Sequence, residues 1–159
     1  MQKMTDRAEI AQAAHDRFAG RPFSWGDRDC AQLAKFVVMR AGHPNPLKGA
    51  QDYAGEVGAV RALRHALKTV GKPADGTLAD VLDGLGYVRL PAPAFALPGD
   101  LIGMQGTAPF GFALAVSMGN GKALAFAIDP ESGEGVGFVG DALITRDGIT
   151  PAAAAWSLF

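Results

Sequence analysis

Apolar residues recur at three- and four-residue spacing through the first half of the chain, then fall into short glycine-bounded runs in the second. Leu33, Ala34, Val37, Val38 and Ala41 share one face of a predicted helix, which Gly42 and Pro44 end. Asp29 stands where its carboxylate would accept from N–H groups left unpaired in the first turn, so it predicts the N-cap. Upstream, Thr5 caps a helix running to about Phe18, with Ala11, His15 and Phe18 along one side and Gly20 and Pro22 as its stop. Downstream, the punctuators from Gly42 to Pro46 predict a rigid loop with His43 exposed. A helix follows from about Val57 to Val70 on the stripe Val60, Leu63, Leu67 and Val70. The run Thr77-Leu78-Ala79-Asp80 resembles a capping box and opens a short helix to Leu85.

After the loop Pro91–Pro98 the pattern changes. Asp100–Met104, Phe112–Met118 and Lys122–Ile128 read as antiparallel strands. Gly119-Asn120-Gly121 is the strongest hairpin signal, since Asn and Gly tolerate the positive φ of tight turns. Val136–Val139 and Ala142–Thr145 predict edge strands, and Pro151 opens a closing helical piece ending near Trp156. Helices first, then a meander of strands, predict an α+β fold: helices packed on one side of an antiparallel sheet, in one domain over residues 1–159.

Charge and composition narrow the classes of function. The net charge is -1 with no basic run, which argues against nucleic-acid or anionic-membrane partners. Arg61, Arg64, His65 and Lys68 line one side of the third helix, a face that reads as solvated. One cysteine excludes an internal disulfide and a cysteine-cluster zinc site. Asp129, Glu131 and Glu134 match no calcium-loop spacing, so neither a metal nor a cofactor is expected. No run approaches a membrane span, and the first residues are too polar for a signal peptide, predicting a product made in the cytoplasm.

Cys30 carries the candidate chemistry. As the first residue of its helix it would lie in the positive field of the N-terminus, which favours the thiolate a nucleophile needs. The same position suits a small buried hydrophobe, the commoner role of a lone cysteine on an apolar helix face.

The run "PFSWGDRDCAQLA", Pro22 to Ala34, resembles the nucleophile segment of NlpC-type cysteine peptidases. It is still more similar to phage and prophage tail proteins reading "PFxWGxxDCxxFAA". In those proteins a segment like Tyr53–Leu63, a "GD" strand (here Pro98-Gly99-Asp100-Leu101-Ile102) and a late Ala-Trp (Ala155-Trp156) follow. The resemblance implies a papain-like fold with Cys30 as nucleophile and Asp29 as its helix cap. The family's base is a histidine on the strand after "PGD", in a pattern like "HVGIYLGNG". Aligning the "GNG" turns places Ala113 there, with Phe112 beside it, and the third polar position near Ala125 or Phe126. None of these can take a proton, and His15, His43 and His65 all precede the sheet.

The resemblance therefore implies a structural protein of the phage tail tip or baseplate hub, with a degenerate or altered peptidase centre. It would be made in the host cytoplasm and carried in the virion, its partners other tail and hub proteins. Phe95, Phe110 and Phe112, set among glycines and prolines, fit an interaction surface. Two alternatives keep the enzyme: a peptidoglycan endopeptidase with host cell wall as substrate and a displaced histidine as base, or a bacterial small-amide hydrolase unrelated to phage.

Overall fold

The computed structural model describes residues 2–47, 52–105, 112–128, 134–142 and 151–159, with side chains from residue 6 onward except at 105. Four helices precede the main sheet: α1 (Gln2–Phe18), α2 (Cys30–Arg40), α3 (Glu56–Thr69) and α4 (Leu78–Gly84). Six strands follow: β1 (Val88–Arg89), β2 (Leu101–Gln105), β3 (Phe112–Gly119), β4 (Lys122–Ile128), β5 (Gly135–Asp141) and β6 (Ala152–Ser157). They form one sheet in the order β1-β6-β2-β3-β4-β5, antiparallel at every pairing. The fold is α+β, helices on one face of an antiparallel sheet.

Strand alternation sorts the core into two layers. Leu101, Leu114, Val116, Leu124 and Trp156 face the helices, where they meet Leu33, Val37, Val38, Leu63 and Leu67. Ile102, Ala115, Ala123 and Ala155 point to the opposite face, with Leu90 and Ala96 packed against them. The large side chains thus lie on the helical side, where each fully buried one contributes roughly 1.5–3 kcal/mol.

The hairpin is as the sequence predicts: Gly119, Asn120 and Gly121 all take positive φ between β3 and β4. Asp80 accepts a hydrogen bond from the Thr77 N–H at 2.8 Å, half of the capping box that opens α4.

Several expectations are corrected. The first helix begins at Gln2, so Thr5 lies inside it rather than capping it. Its buried face is Arg7, Ile10, Ala11, Ala14 and Phe18, leaving His15 exposed. The closing segment is a strand: β6 inserts between β1 and β2, its Trp156 opposite Leu101 and Arg89. The alanine run 152–155 has high helix propensity, but satisfying two neighbouring strands at once outweighs it. Phe112 is partly buried, its ring over Gly103 and edge-on to Trp156 with centroids 6.2 Å apart. A Cβ on Gly103 would lie 2.2 Å from that ring, so glycine makes the room. Phe95 is exposed as expected, while Phe110, residues 129–133 and 143–145 fall outside the described residues.

Candidate functional site

The segment between α1 and α2 runs antiparallel to the outer edge of β5. Gly20 donates to Gly137 O, Gly137 to Arg21 O and Phe23 to Gly135 O, at 2.7, 2.8 and 2.8 Å. Gly135 and Gly137 permit this approach, since Cβ atoms there would lie 2.6 Å from Phe23 Cβ and 1.9 Å from Phe18 O. Phe23 packs edge-on to Trp25 and Phe126. The chain then turns at Gly26, whose φ is +82° and whose Cβ position would meet Tyr53 O at 1.7 Å. Only glycine fits that turn.

The turn delivers Asp29 and Cys30. Asp29 is fully buried, and each carboxylate oxygen is used. Oδ1 accepts from the Gln32 N–H at 2.8 Å, which makes Asp29 the N-cap of α2. Oδ2 accepts from the Gly26 N–H at 2.9 Å and from the Tyr53 hydroxyl at 2.7 Å. Gln32 Nε2 donates to the same hydroxyl at 3.4 Å. Burial, then the Asp29 charge and hydrogen bond, raise the Tyr53 phenol well above its ordinary range. Tyr53 is the member of the site that local sequence reasoning missed, because its bond to Asp29 spans 24 positions.

Cys30 is the first residue of α2, which lies on β3. The residue is half-buried, and desolvation by the protein packed around it is the largest influence on how its thiol titrates. Burial pushes the thiol up from 9.0 to about 11, and the neighbouring Asp29 charge adds to the rise. Backbone hydrogen bonding from Leu114 and from the first turn of α2 pulls the other way and loses. The expectation of a helix-activated thiolate is thus corrected. The field has the predicted sign, but desolvation of a charged sulfur exceeds it.

No histidine compensates. The backbone hydrogen bonding from Leu114 puts the sulfur against β3 one residue from Ala113, where the resemblance would seat a base. His15 lies exposed on α1, 3.7 Å from Asp16. His65 is exposed on α3. His43 is half-buried rather than exposed: its Nε2 lies 2.6 Å from Leu158 O and its ring packs edge-on to Tyr87. It follows the C-terminus of α2, whose 11 residues separate it from Cys30 by about 16 Å. Among the described residues, no group of three or more potential metal ligands comes together.

The later motifs are structural. Asp100 of the "PGD" turn holds the Arg7 guanidinium at 2.7 Å and accepts from the Leu97 N–H at 2.9 Å. Trp156 of the late Ala-Trp donates its indole N–H to Asp83 at 2.9 Å.

The sequence model of DUF6950, a domain of unknown function, matches residues 2–155. The chain belongs to DUF6950. The match takes in the Gly26 turn, the Asp29–Cys30 pair and all but the last residues of β6. No curated protein and no solved structure matches. Among the described residues of this DUF6950 chain, no helix is long and apolar enough to cross a membrane.

Proposed function

We propose that this DUF6950 chain is a structural component of a bacteriophage tail tip or baseplate hub, built on an NlpC-type scaffold whose peptidase centre no longer works. The observation that carries the reading is the state of Cys30. Its thiol is buried, its pKa is raised rather than lowered, and the adjoining strand has Ala113 at the aligned base position and only Phe112 and Leu114 on the side that faces Cys30. A cysteine hydrolase needs a thiolate and a proton donor for the departing amine, and loss of the acid–base group alone costs about 10²–10⁴ in rate. Asp29 is committed to capping and to Tyr53, so it serves the scaffold. The phage-tail assignment is supported by the sequence resemblance from Pro22 to Trp156.

Two measurements test it. Incubated with host peptidoglycan, the purified protein releases no muropeptides detectable by mass spectrometry, whereas cleavage abolished by Cys30→Ala would establish the endopeptidase instead. Proteomics of purified particles finds the chain in the tail, and its absence there would end the structural reading.

A further inference from the structure

The C-terminal end of α1, the turn before α2 and the outer side of α2 enclose a groove of about 720 Å³. Its walls carry Arg17, Arg21, Arg28 and Arg40 against Asp16 and Asp27, a surplus of two positive charges in a chain whose net charge is -1. Arg28 is engaged, donating to Pro22 O at 2.7 Å and meeting Asp27 at 3.2 Å. Arg17, Arg21 and Arg40 are exposed and, among the described residues, form no ion pair. Phe36 fixes two of them: the Arg40 and Arg17 guanidinium carbons lie 4.9 and 5.5 Å from its ring centre. Stacking of this kind holds the planar forks in place with their N–H groups free. A second hollow of about 360 Å³ shares Arg17, Phe36 and Arg40 and extends the groove along α2 to Lys35 and Met39. Met39 is 49% exposed. Neither hollow is lined by Cys30.

We infer that this groove docks a carboxylate-rich segment of a partner protein, its acidic groups taken by Arg17, Arg21 and Arg40 and an apolar side chain set against Phe36 and Met39. Positioned guanidiniums bind carboxylates through paired, charge-assisted hydrogen bonds. Nucleic acid fits less well. A phosphate backbone needs an unbroken basic track, and here Asp16 and Asp27 interrupt it while the chain as a whole supplies no attractive field. The mixture of cation, carboxylate and apolar surface matches the rim and core of a protein interface. The inference stands apart from the phage reading and from the Cys30 site, so failure of either leaves the other intact.

The test uses fluorescence anisotropy with a short fluorescein-labelled peptide of Glu, Asp and Leu residues and the full-length protein. Saturable binding is expected, weakening as salt rises from about 0.05 M to about 0.5 M. Arg17→Ala with Arg40→Ala reduces affinity by about tenfold, as removal of two partly screened charge-assisted contacts should. Arg61→Ala with Arg64→Ala removes the same charge from the exposed face of α3 and leaves binding unchanged. Among the described residues Arg17 and Arg40 form no ion pair, so their double variant gives up only the ring contacts and lowers the melting temperature by no more than about 2–8 °C, and Arg21→Ala provides an independent reading outside the helices. No saturable binding, equal losses in the two double variants, or tighter binding of an oligothymidylate of equal charge would overturn the inference, the last by making the groove a nucleic-acid site.

Discussion

Cys30 is governed by two opposing fields. The first turn of α2 offers N–H groups that would stabilise a thiolate, while the packing of α2 on β3 strips that thiolate of water. Burial wins by about two pKa units, so at neutral pH the native protein holds about a hundredfold less thiolate than a free cysteine would. Alkylation by iodoacetamide at pH 8, followed by mass spectrometry, is therefore expected to be slower by about that factor in the native protein than in the urea-unfolded chain. The pH dependence of stability has a definite sign. A thiol whose pKa is raised on folding contributes stability that is full below the unfolded value of 9.0 and is lost as pH rises through about 11. The loss is on the order of 1–3 kcal/mol. It is measured as the unfolding free energy of wild type relative to Cys30→Ala, which falls across that window. A flat difference, or fast alkylation at pH 8, would mean that the sulfur is solvated and still available for chemistry.

At the scale of elements, the strand that closes the fold decides most. β6 is the last strand in sequence but lies inside the sheet, and its Trp156 is buried between α4 and the helix-facing side of β2. The Asp83 carboxylate accepts the indole N–H at 2.9 Å, and the Arg89 guanidinium carbon lies 5.1 Å from the indole ring. Asp83→Ala leaves that buried N–H without a partner and is expected to cost about 1–3 kcal/mol, read from urea unfolding. Trp156→Phe gives up the same bond together with its donor and keeps the Asp83–Arg89 pair at 3.0 Å, which Asp83→Ala also removes, so it should cost less per polar group lost. This strand is also where the sequence was hardest to read. Asp29, the α2 stripe and the Asn120 hairpin were legible because cap, stripe and turn are fixed by residues within a few positions of one another. Ala152–Ala155 carries no local mark of a strand, since its geometry comes from β1 and β2 more than 45 positions earlier. His43 and Phe112 misled for the same reason: Leu158 and Trp156, against which they pack, are remote in sequence. The candidate site divides likewise, with Asp29 and Cys30 visible locally and Tyr53 supplied by the fold.

At the scale of the molecule, one buried ion pair ties together the beginning, middle and end of the chain. Arg7 on α1 meets Asp100 at 2.7 Å, and the two side chains are 8% and 2% exposed. The same guanidinium reaches Pro98 O and Ser157 Oγ at 3.4 Å and lies 4.1 Å over the Phe159 ring. Arg7 is thus the point at which the first helix, the turn before β2 and the terminal strand are held to one another. A buried pair of this kind repays its desolvation only while both partners and their hydrogen bonds are present. Asp100→Leu leaves a guanidinium in the interior with only neutral partners, and is expected to destabilise by about 3–5 kcal/mol. Arg7→Met leaves the complementary defect, a carboxylate that keeps only the Leu97 N–H at 2.9 Å, and should cost a similar amount. Arg7→Met combined with Asp100→Leu removes both charges and should recover much of the loss, because an apolar pair incurs no desolvation. Urea unfolding of the two single variants and the double variant forms the cycle that measures the coupling. If the single variants cost less than about 1 kcal/mol, the pair behaves as a solvated surface contact.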